Sequence, residues 1–294
     1  MQAMIALIKR EYLEHRGAFV FGPIILLTLF LLGALYSMLG TDISVGISGA
    51  PRTALRFYET AFALGAAAWL AYLIIMLFFY YSDAFSADSR SNSMLFWKSM
   101  PQSDFKILGS KMAASLTVFP TAILLALALT GIIAYLPALT IGSLLPGFAP
   151  PDIGQAAGAW VNVMVSAVVL FALTLLWYLP FFAWVGLLAT AFRRWAIPLA
   201  FFIPVVIGMI ERVVIRRNIL DEGVVWPFLS ERFQLRFAGL DFEGYWLAGQ
   251  PWNGLELAAL MLTGIDWVSL VGGVVIAVVL VFAASEYRRR YVLT

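Results

Sequence analysis

Long apolar runs separated by short polar stretches dominate the chain. Six runs, at about 18–39, 61–81, 112–136, 159–191, 195–210 and 267–284, are long enough to cross a membrane. A hydrocarbon core of about 30 Å takes roughly 20 helical residues. Backbone amides in hydrocarbon need partners within their own segment, so each run is predicted to be a helix. The fourth run is too long for an upright span and carries Pro180 in its middle, which predicts one kinked helix that tilts or projects past the interface. The fifth is short and contains Pro198 and Pro204. It is predicted to borrow residues 211–215 to finish its crossing, or to stop short and continue as a re-entrant piece.

The polar intervals carry their own pattern. Residues 1–16 read as an amphipathic helix lying in the interface, with Met4, Ile5, Ile8 and Tyr12 opposite Lys9, Arg10, Glu11 and Glu14. Residues 82–111 form the one substantial loop on the same side as the N-terminus. Within it, 91–100 is predicted to be a short amphipathic helix presenting Met94, Leu95 and Trp97. Met100-Pro101 stops that helix, and Ser103 or Asp104 caps the start of the third span. Residues 137–158 read as a short link on the opposite side, with Asp152 capping the fourth helix. Residues 211–266 form a large insert containing Trp226, Trp246 and Trp252, predicted to be short helices resting on the membrane surface. No internal or inverted repeat is evident. The expected fold is an all-α membrane protein with a single transmembrane domain over 1–294 and six helices.

Composition agrees with this pattern. Of 294 residues, 62% are apolar and 12% charged, whereas a soluble domain carries about a quarter charged residues. Mean hydropathy is +0.91. The net charge of +2 is too small to suggest nucleic acid, and the absence of cysteine excludes disulfides, zinc thiolate sites and thiol catalysis. The apolar run after Arg16 exceeds the 7–15 residues or so of a signal-peptide core, so it reads as a retained span. Putting both termini inside places twelve of the nineteen basic residues in the cytoplasm and leaves 137–158 with none. A bacterial cytoplasmic (inner) membrane is the expected location.

Familiar chemistry is missing. There is no phosphate-binding GxxxxGK[ST] loop; Gly109-Ser110-Lys111 lacks the upstream glycine. His15 is the only histidine, too few for a zinc site, and reads as an interfacial side chain. Asp83 and Asp266 fall on opposite sides of the expected topology, which rules out a paired-aspartate protease. The spans hold almost no ionisable residue for a coupling ion; Glu211, beside Arg212, lies at a span end. The chain is therefore not expected to be an enzyme, and no metal or cofactor site is expected. Asn162 with Ser166, Thr174 with Tyr178, and Tyr36, Trp69 and Tyr72 either line a substrate path or make interhelix contacts.

The loop YYSDAFSADSRSNSMLFWKSMPQSDFKILGSK over 80–111 is the most distinctive stretch. Acidic Asp83 and Asp88, basic Arg90, then the apolar run and KSMPQS resemble a motif of type-2, exporter-like ATP-binding-cassette (ABC) transporters. That motif belongs to their membrane-spanning permease subunits. The resemblance extends to an elbow helix before the first span, six spans and a helical insert before the last. It implies separate ATPase subunits as partners, which would hold the ATP and magnesium. It also implies pairing with a second copy or a homologous permease. Arg90, Phe96, Trp97, Lys98 and Met100 would then lie at the ATPase contact, seated by Lys9, Arg10 and Glu11. The insert is longer and richer in tryptophan than a minimal member needs. An uncharged, aromatic-lined bundle suits an amphipathic or lipid-like substrate such as a drug, peptide or lipid. The other readings are a membrane anchor or assembly factor with a sensory insert, and a self-sufficient channel or ion-coupled carrier.

Overall fold

Polar caps and backbone breaks decide where helices begin and end. A computed structural model describes residues 2–39, 53–90, 103–144, 149–215, 225–240 and 252–291. These are helical throughout apart from short connections, with no strand among them. The short helix expected over 91–100 lies outside the described residues. Helix α1 spans Gln2–Glu14, and a π-helical turn over Gly17–Phe21 leads into α2, Gly22–Ser37. Helix α3 runs Ala54–Arg90. Ser103 caps α4, Asp104–Leu116, by accepting from the Lys106 amide at 3.3 Å. Thr117 leaves helical geometry and separates α4 from α5, Val118–Leu144.

Asp152 caps α6, Ile153–Phe192, through the Gly154 amide at 3.0 Å. A 3₁₀ turn over Arg193–Trp195 leads into α7, Ala196–Ile215. Then follow α8, Val225–Phe233, α9, Gly254–Gly264, and α10, Trp267–Tyr291.

Among the described residues, five helical segments are long and apolar enough to cross a membrane: Gly17–Ser37, Ala54–Ala87, Asp104–Thr140, Ile153–Glu211 and Trp267–Arg290. This is the pattern of a multi-pass membrane protein. The fourth segment contains both the fourth and fifth apolar runs of the sequence. It reverses at Arg193, whose φ of 53° takes a non-glycine residue into left-handed space and ends α6. Helix α7 folds back on α6, and Trp184 Nε1 donates to the Ala200 carbonyl at 3.4 Å.

Helix α6 is the axis of the bundle. Helix α3 runs beside it in the same direction: Tyr81 stacks on Phe182 at 5.6 Å, and Phe85 lies against Gly186. Helix α5 runs opposite to both. Trp69 Nε1 donates to Thr130 Oγ1 at 2.8 Å, and Trp160 Nε1 to the Ala128 carbonyl at 3.0 Å. Helix α2 follows α5, and in the π-helical turn before it Phe19 stacks on Phe119 at 3.8 Å. Where α3, α5 and α6 converge, Gly131 leaves no room for a side chain. An added Cβ would lie 2.5 Å from Phe62 and 2.6 Å from Trp160. Gly131→Ala is expected to cost about 1–3 kcal/mol by overpacking, measured as a lower unfolding midpoint of the purified chain in detergent.

The structure adds detail to three elements. Helix α1 turns its Leu7 and Glu11 side toward the bundle and leaves Ile5 outside. Ile5 is 65% exposed and Glu11 only 3%, and Leu7 packs on Ile107. Leu7, Glu11 and His15 recur every four residues, so one side of α1 can meet α4 and α3 with all three. The link expected at 137–158 is shorter, because α5 continues through Pro137 to Leu144; a proline removes only one helical bond. The insert's short helices run along the flank of α6, where Leu257 and Met261 pack with Leu173 and Trp177.

Candidate functional site

Polar side chains collect at two places. The first is the base of the bundle, where α1, the close of α3, the start of α4 and the close of α10 meet. Lys111 is 1% exposed, and its Nζ contacts Glu11 Oε1 at 2.7 Å. The Tyr80 hydroxyl donates to Glu11 Oε2 at 3.0 Å. His15 lies edge-on to Tyr80 at 4.7 Å, with Nδ1 3.2 Å from the Glu11 carbonyl and Nε2 3.7 Å from Asp83. Burying this charge is tolerable only because each partner is present. Two turns before Lys111, at the start of α4, Asp104 pairs with buried Arg288 of α10 at 2.9 Å. Helix α4 is thus fastened to α1 and α10 by separate ion pairs.

Glu11, Glu14 and His15 bring ligand atoms within 4.8 Å of one another. The Glu11 oxygens are already engaged by Lys111 and Tyr80, and Glu14 pairs with Arg10 at 2.6 Å. The group therefore acts as part of the ion-pair network. Of the residues expected at an ATPase contact, Lys9 is exposed, Arg10 pairs outward and Glu11 is internal. Arg90 is the last residue of α3. Phe96, Trp97, Lys98 and Met100 lie outside the described residues.

The second place is the flank of α6 facing the insert. Asn162 Oδ1 accepts from the Gly254 amide at 3.1 Å, and Ser166 Oγ accepts from Trp252 Nε1 at 3.1 Å. About three turns further on, Trp177 Nε1 donates to the Arg232 carbonyl and the Tyr178 hydroxyl to that of Phe233, both at 2.8 Å. Thr174, between these pairs, is buried, and its hydroxyl has no partner among the described residues. Of the α6 residues expected to line a path or make interhelix contacts, Asn162, Ser166 and Tyr178 thus bond the insert. Of the others, Trp69 bonds Thr130, Tyr72 donates to the Ala18 carbonyl at 2.5 Å, and Tyr36 is exposed on α2. An apolar cavity of about 320 Å³ lies between α3, α6 and the insert, with Ser166 and Trp252 in its wall.

Helices α9 and α10 form one column beside α6, broken at Ile265 and Asp266. Asn253 caps α9 through the Glu256 amide at 3.3 Å. Asp266 caps α10, with Oδ1 accepting from the Val268 and Ser269 amides at 3.0 and 3.2 Å and Oδ2 from Ser269 Oγ at 2.5 Å. Those bonds from Ser269 hold the Asp266 carboxyl below its ordinary pKa. Arg232 of α8 reaches this break. Its Nη1 donates to the Ser269 carbonyl at 2.7 Å, and its guanidinium lies 4.4 Å from the Trp177 ring. A Cβ on Gly273 would fall on its Nη2. A second cavity, of about 520 Å³, opens here.

In the sequence, Arg232 is one of five arginines in the 211–266 insert. The only local hint of its role is the Gly272-Gly273 pair within an apolar run, which leaves space on α10 without saying what fills it. Comparison of the chain with known protein families, curated proteins and solved structures found no match.

Proposed function

We propose that the chain is the membrane-spanning subunit of an ABC exporter, crossing the bilayer six times with its base in the cytoplasm. The observation that carries this reading is the fastening of α4. The segment that resembles an ATPase-docking motif leads directly into α4, and α4 is tied to α1 by Lys111–Glu11 and to α10 by Asp104–Arg288. A push on that segment would reach both flanks of the bundle through two bonded contacts. The reversal at Arg193, which divides the longest apolar segment into α6 and α7, supports counting them as two crossings. With the base inside, twelve of the nineteen basic residues fall on the cytoplasmic side, the bias expected of that face. Energy comes from separate ATPase subunits, since the chain has no phosphate loop. The substrate is amphipathic or lipid-like, consistent with the apolar cavity at Ser166.

Co-purification tests the assignment. The chain should form a stable complex with a separately encoded P-loop ATPase. Trp97→Glu should lower stimulated hydrolysis to its basal rate, because a charge in an apolar docking contact costs more than the contact returns. Unimpaired transport by the chain alone would overturn it.

A further inference from the structure

We propose that the break between α9 and α10 binds an oxyanion borne by a lipid-like molecule, with Arg232 as its main ligand. Arg232 is 3% exposed, yet only one edge of its guanidinium is used. Nη1 donates to the Ser269 carbonyl, while Nε and Nη2 have no hydrogen-bond partner among the described residues. Those two N–H groups form the side-on fork that matches the paired oxygens of a carboxylate or phosphate. Leaving both buried and unpaired costs free energy that an incoming anion would recover.

The surroundings leave this fork for an external ligand. Asp266, the acid at the break, has its oxygens taken by Val268 and Ser269. Glu231 and Arg236 also face the cavity, so its four charged residues sum to zero before a ligand arrives. Trp177 covers one face of the guanidinium, Nη2 rests against Gly273, and Gly272 beside it leaves open space in the cavity wall.

The apolar half of the ligand is read from the rim. Leu255 and Leu262 on α9 and Val271 and Val275 on α10 are all exposed, so apolar surface continues on both sides of the break. Phe228 and Ile276 line the cavity itself. A charge set within an apolar belt is costly unless it has a function, and an acyl chain lying along α10 would bring its headgroup to the guanidinium. This site is independent of any ATPase, so it is tested on the purified chain alone.

Binding of short-chain phosphatidic acid, the matching phosphatidylcholine and inorganic phosphate to the full chain in neutral detergent would be measured by calorimetry. Phosphatidic acid should bind about 10–100-fold tighter than phosphatidylcholine, and Arg232→Gln should remove that preference. Arg232→Lys should restore only part of it, since an ammonium lacks the fork. Photolabelling of the unaltered chain with a diazirine phosphatidic acid keeps the test decisive if Arg232→Gln does not fold; label should fall within Val225–Phe233 and residues 266–276. No headgroup preference, or label elsewhere, would overturn the proposal. Equal affinity for inorganic phosphate would overturn its lipid part. None of these failures would touch the ATPase-coupled reading, which stands or falls on co-purification.

Discussion

Lys111→Met should be among the most damaging single changes in the molecule, costing about 3–5 kcal/mol. The lysine is 1% exposed and its partner Glu11 3%, so removing Nζ leaves a carboxylate inside the bundle with the Tyr80 hydroxyl at 3.0 Å and the His15 ring at 3.9 Å from its other oxygen. The unfolding midpoint in detergent reports the loss. Adding Glu11→Gln should recover most of it, because the penalty comes from an uncompensated charge. Lys9→Met, on the exposed side of α1, serves as the control and should be nearly neutral. If the two lysine variants unfolded together, the buried pair would not be holding α1 to α4.

The second large effect lies at the other end of α6. Gly254 sits so close to Asn162 that an added Cβ would come within 2.6 Å of its carbonyl carbon. Backbone cannot swing aside as a side chain can. Gly254→Val should therefore lift the start of α9 from α6, breaking the Gly254–Asn162 bond and the neighbouring Trp252–Ser166 bond. The expected cost is near the top of the 1–3 kcal/mol or so seen for overpacking. It should be local, so hydrogen exchange of the α9 amides should speed up about a hundredfold while α3 and α6 keep their protection. Uniform acceleration across the bundle would show that α9 is part of its cooperative core.

Much of this fold follows from local sequence. Ser103 and Asp152 announce their helices because a cap is satisfied within three residues. The apolar runs lie where the helices are. What local sequence could not show depends on distant partners. Glu11 reads as surface until Lys111, a hundred residues later, turns out to neutralise it. Asn162 and Ser166 read equally as path lining or interhelix contacts, and only the fold shows that the Gly254 amide and the Trp252 indole are their partners. The reversal at Arg193 has neither glycine nor proline, and it is the two arginines parting the fourth and fifth apolar runs that mark it in the sequence. Arg232 is the clearest case: its partners lie at 177, 269 and 273, on two other helices.

The length of α6 has a consequence for how the molecule stands in a bilayer. Forty residues make a rod of about 60 Å, and α3, with 37, runs beside it at about 55 Å. Transmembrane helices tilt by up to about 40°, at which even this pair would span more than 40 Å, well beyond a hydrocarbon layer of about 30 Å. The two rods must therefore emerge together as a short mast through the headgroups. Asn162 and Ser166, near the free end of α6, become the cleats by which α9 is lashed to it. The insert is then carried on the longest and best-braced helices of the chain, so any tilt of that mast would move α9 and the break beside Arg232 as one unit.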